Sequence, residues 1–210
     1  MEDLLEEYIL AHIDEEGSLL AELNRDTHVN VLRPRMLSGH LQGKILKMFC
    51  RMIQPKRVLE LGTFTAYSAL AMAEGLPADG CIHTIDNNEE LEDFVQKHIQ
   101  KSAHKDQIIC YIGDALELIP TLTDTFDLVF IDADKREYLA YYHAVFDKVR
   151  KGGFIIADNT LWDKKVIEEN AHLDEQTKGV ILFNEYVAKD SRVEKVIIPL
   201  RDGLSILMKK

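Results

Sequence analysis

The sequence predicts an α/β fold built on a mostly parallel sheet, and three observations carry that expectation. From residue 57 onward, short β-branched and leucine-rich runs alternate with helix-length stretches four or five times, the pattern of βαβ units. At the end, VEKVIIPL and GLSILMK are separated by Arg201, Asp202 and Gly203, and Asp-Gly between two apolar runs marks a hairpin. Residues 1–55 show only helical periodicity. The count is seven strands, five parallel and then a hairpin that sets one reversed strand in the sheet. One domain spans 1–210, with 1–55 as a helical cover and 56–210 as the α/β core.

Taken in order, Leu4, Leu5, Tyr8 and Ile9 mark one helical apolar face, and Leu19, Leu20 and Leu23 a second. Ile45, Leu46, Met48, Phe49 and Met52 fill a third, which Pro55 ends. Between the second and third lies VLRPRMLSGHLQG, broken by Pro34, Gly39 and Gly43. The strands then read RVLEL, CIHTID, QIICYI, FDLVFID and GFIIAD, with helices over 66–74, 88–102, 115–122 and 136–150 between them. A last helix over 174–189 precedes the hairpin.

Composition narrows the function. A chain of 210 residues that is 46% hydrophobic has enough apolar material for a core without a metal or disulfide. The net charge of −11 argues against a broad nucleic-acid or anionic-membrane surface, while leaving room for a local basic patch. Cys50, Cys81 and Cys110 form no C-x-x-C pair, so zinc is disfavoured. Cys81 and Cys110 lie in apolar runs and read as buried small hydrophobes. Uncrosslinked cysteines suit a cytoplasmic protein. MEDLLEEYILAH lacks the basic start of a signal peptide, and no apolar stretch has the length of a membrane span.

Ligands of open α/β sheets bind outside the carboxyl ends of the strands, so the residues that end each run matter most. Gly62 ends the first run, four residues ahead of a helix, where backbone N–H groups can meet a ligand. The second and third positions of G-x-G-x-x-G are Phe64 and Tyr67, which weighs against a tightly cradled pyrophosphate. Asp86 ends the second run and can accept both hydroxyls of a ribose; it can also cap the next helix, as can Asn87 or Asn88. After the third run, Asp114 can cap a helix and the Ala115 amide can read a base edge.

The fourth and fifth runs end in Asp132 and in Asp158–Asn159. Oxygen donors from two neighbouring strand tips suit a hard divalent ion, Mg²⁺ or else Mn²⁺ or Ca²⁺. The competing reading makes these acids turn formers, or partners of Lys135 or Arg136. Lys135, three residues past Asp132, can act as a general base beside a cation; otherwise it is a solvated lysine at a helix start. Trp162 either walls the site or packs in the core. His40 is read as a surface or packing residue.

Together, ELGTFTAYSAL, TID, GDAL, FIDADKREYLAYY, GGFIIADNTLW and DGLSIL resemble the cation-dependent O-methyltransferases of the catechol and caffeoyl-CoA type, in their small bacterial form. The likeness runs from MLSGHLQGKIL to LRDGLSILMK. It implies a Rossmann-like seven-stranded methyltransferase sheet and S-adenosylmethionine as cofactor. It further implies that Glu60, Gly62, Thr63 and Ser68 line the methionine and ribose side, that Asp86 holds the ribose hydroxyls, and that Ala115 meets adenine. Met36 would lie in the segment covering the cofactor. Asp132, Asp158 and Asn159 would bind the metal, and Lys135 with Asp132 would carry the catalysis. A homodimer and a small hydroxylated aromatic substrate are also implied. Many members have glycine where this chain has Ala66, which is expected to begin the helix here. Residues 1–30 and 162–177 transfer least from the family, and they set acceptor choice. The competing readings are methylation of a hydroxylated uridine in tRNA, a nicotinamide-dependent oxidoreductase, and a non-catalytic module with a structural metal.

Overall fold

Seven strands form one sheet in the order β3-β2-β1-β4-β5-β7-β6 in the computed structural model, which describes residues 2–168 and 174–210. The parallel strands are β1 (Arg57–Leu61), β2 (Cys81–Asp86), β3 (Ile108–Ile112), β4 (Phe126–Ile131) and β5 (Val149–Ala157). The hairpin supplies β6 (Val193–Ile198) and β7 (Leu204–Lys209); β7 pairs antiparallel with both β5 and β6. The reversed strand thus sits inside the sheet, as the sequence predicts.

Three helices precede the sheet: α1 (Glu2–Leu10), α2 (Ser18–Asn30) and α3 (Gly39–Ile53). The others are α4 (Tyr67–Ala73), α5 (Glu92–Ile99), α6 (Ala115–Leu118), α7 (Tyr138–Phe146) and α8 (Glu175–Lys189). Several are shorter than their periodicity suggests, because a 3₁₀ turn takes the first or last turn, as at Glu89–Leu91 and Ile119–Thr121. Side-chain caps define the starts: Asp114 accepts from the Leu116 amide at 2.7 Å and Asp174 from the Thr177 amide at 2.8 Å.

Strand alternation sorts the core into two layers. Val58, Ile82, Leu128, Phe130 and Ile156 face α2–α5. Leu59, Leu61, Val129, Ile131 and Ile155 face α7 and α8. A buried His98 on α5 meets Asp26 on α2 at 3.1 Å, and Lys97 and Lys101 balance Asp26 and Glu22, so this acidic cluster clasps two helices.

Four expectations need correction. Leu4, Leu5 and Tyr8 stay 60–68% exposed, so the apolar face of α1 is not packed on the core. On α3, the inward line is Gln42, Leu46 and Cys50, spaced four apart, which turns Met48 and Met52 outward. Cys81 and Cys110 are only half-buried; Cys50 is the buried one. Ala66 does not begin α4. It caps the helix in the left-handed region, at φ 67° and ψ 20°. Gly62 and Phe64 are also left-handed, at φ 101° and 46°, so the loop after β1 turns tightly through three such residues. Each non-glycine residue held there costs on the order of 1 kcal/mol, strain that collects at functional loops.

Helix α8 packs on the 3₁₀ turn Lys135–Glu137, and Gly179 makes the approach possible: a Cβ there would lie 2.3 Å from the Lys135 carbonyl oxygen. Gly179→Ala is expected to cost about 1–3 kcal/mol as backbone is forced apart, while Leu182→Ala on the exposed side of α8 costs less than about 0.5 kcal/mol. Urea unfolding of the two variants checks this; equal midpoints would show that the contact is soft.

Candidate active site

Between β1 and β4 the strand order reverses direction, and the loops after both strands open at that switch point. The ladder continues one residue past the strands. The Gly62 amide donates to Ile85, Asp132 to Leu61, and Asp158 to Ile131, at 2.8–3.0 Å. Gly62 is required where the two loops meet, since a Cβ would fall 2.1 Å from the Asp132 carbonyl oxygen. Register Ile131↔Ala157 then sets Asp132 and Asp158 side by side.

On the β1–β2 side, Glu60 is fully buried. Its Oε2 accepts from the Thr84 hydroxyl at 2.5 Å, and Thr84 in turn bonds Thr63 at 2.6 Å. Its Oε1 has no partner among the described residues. Burial pushes the Glu60 carboxyl up to about 8; the nearby Ser68 and Thr84 hydroxyls pull against this, and the charges of Asp132 and Asp86 add to it. A buried acceptor without a donor fits a ligand that brings a cationic or N–H group. Asp86 is half-buried and accepts from the Phe64 amide at 2.7 Å and the Asn88 amide at 2.9 Å. It fixes the first loop against the second, and Asn88 rather than Asp86 caps the following turn. A narrow crevice continues from Asp86 past Thr63, Phe64, Val95, Cys110 and Ile112. Ser68 is buried near the start of α4, Ala115 is half-buried as the first residue of α6, and Met36 is 55% exposed in the turn Pro34–Met36.

On the β4–β5 side, Lys135 is buried, not solvated: it is 6% exposed. Its Nζ donates to Asp132 Oδ1 at 2.7 Å and to the Tyr138 hydroxyl at 2.6 Å. That hydroxyl donates to the Asp158 carbonyl at 3.0 Å. The Trp162 ring centroid lies 6.0 Å from Nζ, so Trp162 walls the site. Asp134 is taken up by Arg136 and by the turn it caps. Asp158 is 5% exposed; Oδ2 accepts from Gln42 Nε2 at 2.6 Å and Oδ1 from the Asn159 amide at 2.8 Å. Burial first, and then the charge of Asp132, push Asp158 up to about 6, against Lys135, Gln42 and the Asn159 amide. Asn159 follows in the left-handed region at φ 53°, which asparagine tolerates. Two carboxylates beside a single lysine leave net negative charge among oxygen donors. That donor set fits a hard divalent cation held by Asp132, Asp158 and Asn159.

Three participants escaped the sequence reading: Gln42, Tyr138 and Arg201. Arg201, in the β6–β7 turn, donates from Nη1 to Gln42 Oε1 at 2.9 Å and to the Ser38 carbonyl. A glutamine sharing its helical line with Leu46 and Cys50 was a legible signal; Arg201 gave none. His40 stays out of the site and bonds the Asp14 carbonyl at 2.8 Å. An open groove at the end of α8, between Leu182 and Arg192, is remote from the strand tips. Residues 169–173, part of the stretch expected to set acceptor choice, lie outside the described residues.

Comparison with known proteins identifies the family. The O-methyltransferase family model matches residues 11–210. A catechol O-methyltransferase from Niastella koreensis is 30% identical over 205 residues, covering 93% of this chain and 91% of its own. Caffeoyl-CoA O-methyltransferase 1 from Eucalyptus globulus is 35% identical over 175 residues, 79% of this chain and 71% of its own. Among solved structures, the O-methyltransferase TomG from Streptomyces achromogenes, in complex with SAM, superposes with a TM-score of 0.89 at 27% identity, covering 97% of this chain and 94% of TomG. An O-methyltransferase from Bacillus cereus in complex with SAH gives a TM-score of 0.91 at 25% identity, covering 99% and 97%. The chain therefore belongs to the O-methyltransferase family, as an S-adenosylmethionine-dependent enzyme of the caffeoyl-CoA and catechol type.

Proposed function

We propose that this enzyme transfers the methyl group of S-adenosylmethionine to one hydroxyl of a vicinal-diol aromatic acceptor, of the catechol or caffeoyl kind, with a divalent cation held at Asp132, Asp158 and Asn159. The observation that carries the reading is the meeting of Asp132 and Asp158 at adjacent strand tips, with the buried Lys135 amine bonded between Asp132 and Tyr138.

When bound, the cation supplies Lewis acidity to chelating acceptor oxygens, and the cofactor supplies an already activated methyl. The remaining work belongs to the chain. Asp132 and Asp158 hold charge and Asn159 a neutral oxygen at the acceptor end. Lys135 Nζ, as the neutral amine, takes the proton of the hydroxyl to be methylated and becomes an ammonium held by Asp132, steadied by Tyr138. The Trp162 ring lies along a flat acceptor. Glu60 Oε1 receives a donor from the methionine end of the cofactor, and Asp86 receives the ribose hydroxyls. Thr63 and Ser68 line that side, and Ala115 borders the base. Orientation of this kind contributes about 7–11 kcal/mol in aligned intramolecular reactions, more than a single proton transfer, so the rigid loop Gly62–Ala66 matters as much as Lys135.

Three outcomes test the reading. With labelled S-adenosylmethionine and Mg²⁺, a catechol or caffeoyl thioester is expected to be methylated, a lone phenol to react poorly, and EDTA to stop the reaction. Full activity after exhaustive chelation, or preference for hydroxyuridine-containing tRNA, would replace it. Asp158→Ala is expected to remove Mg²⁺-dependent turnover while S-adenosylhomocysteine binding, measured by calorimetry, survives, because the cofactor residues lie on other strands. Parallel loss of both would contradict the division of the site.

The third outcome concerns Glu60. Its folded value of about 8 lies above the ordinary 4.5. Between those values the folded chain holds a proton that the unfolded chain releases, so stability falls as pH rises through the window. The urea midpoint of the cofactor-free protein is therefore expected to drop between pH 5 and pH 8.5, and Glu60→Gln to flatten that slope. An unchanged slope in the variant would assign the effect elsewhere.

A further inference from the structure

Gln42 is 2% exposed on a helical line it shares with Leu46 and Cys50. Burying a carboxamide there is costly unless both of its ends are bonded, and both are. Nε2 donates to Asp158 Oδ2 at 2.6 Å, and Oε1 accepts from Arg201 Nη1 at 2.9 Å. The polarity of that amide is locked. Turning it over would set its oxygen against a carboxylate and its NH₂ against a guanidinium, both repulsive. Arg201 therefore dictates that the NH₂ faces Asp158.

We infer that Gln42 is a positioning residue that, locked by Arg201, orients the Asp158 carboxylate for the divalent cation. The inference rests on the cation reading given above. Asp158 is held by two donors, Gln42 on Oδ2 and the Asn159 amide on Oδ1. Its rotation is thus fixed, while a carboxylate with about four lone-pair sites keeps two free for a metal. Neutrality suits the position. A glutamate would add a third negative charge without a donor, and a lysine would compete with the cation for Asp158. The same amide joins three segments far apart in sequence: the start of α3, the tip of β5 and the β6–β7 turn. Arg201 also donates to the Ser38 carbonyl, so the helical cover and the hairpin are fastened at the residue that steadies the ligand.

The test measures Mn²⁺ binding to the cofactor-free enzyme by calorimetry, with activity not involved. Gln42→Met keeps the length of the side chain and removes the donor. It is expected to weaken Mn²⁺ binding about 10–100-fold, the usual effect of removing a partner of a metal ligand. Arg201→Met, an exposed change, is expected to weaken it by a smaller factor. The double variant is expected to bind no worse than Gln42→Met, because the arginine acts only through the glutamine. S-adenosylhomocysteine affinity is expected to hold in both single variants, which a general loosening of the fold would not allow. Wild-type Mn²⁺ affinity in either single variant overturns the inference and leaves the cation reading intact. Should Gln42→Met fail to fold, Arg201→Met decides alone. Absence of Mn²⁺ binding by the wild-type enzyme overturns both.

Discussion

Two carboxylates, Asp132 and Asp158, stand side by side at the tips of adjacent parallel strands, one of them almost wholly removed from water. Like charges so placed repel strongly in a low dielectric, and the surrounding structure offsets that repulsion. Lys135 is drawn out of solvent onto Asp132, Tyr138 braces the lysine against the Asp158 backbone, and Gln42 with the Asn159 amide solvates Asp158 in place of water. Each of these costs burial of a polar group that a merely stable fold has no reason to accept. The apolar layers above and below the sheet supply the driving force; the tips carry the frustration that function demands.

The two halves of the site differ in how they are built. The half nearest β1 and β2 combines a backbone loop, left-handed at Gly62, Phe64 and Ala66 and pinned by the Asp86 carboxylate on the Phe64 amide, with the buried hydrogen-bonded chain Glu60–Thr84–Thr63. The half nearest β4 and β5 is made of side chains. A rigid backbone cradle suits a cofactor that is the same in every turnover. A cluster of side chains bordered by Trp162 can be varied residue by residue without disturbing that cradle.

Most of the fold was legible because its signals are local. Apolar runs of strand length, regularly spaced, announced the parallel sheet, and Asp202–Gly203 announced the reversed strand. The acids at the strand tips were legible because a strand has no structural need to end on two of them. What escaped depends on contacts distant in sequence or on backbone that residue identity argues against. Ala66 was expected to begin the helix because a positive φ is costly for alanine; the loop imposes a left-handed turn regardless. Whether Lys135 is solvated or drawn into the site is decided only when Tyr138 is placed beside it. Gln42 shows its role only once β5 is threaded past α3. The exposed face of α1 has amphipathic periodicity that nothing in the described chain uses.

The lock on Asp158 also has a place in time. Chains are made from the N-terminus and fold as they emerge, and contacts of large sequence separation close last. The acids and their lysine can meet once β5 has formed, but the guanidinium that sets the orientation of Gln42 belongs to the β6–β7 turn. A chain in which β6 and β7 have not yet formed would lack that fastening. Completion of the hairpin turns a loose acidic notch into a fixed one, so the order of this centre depends on the last strands of the sheet.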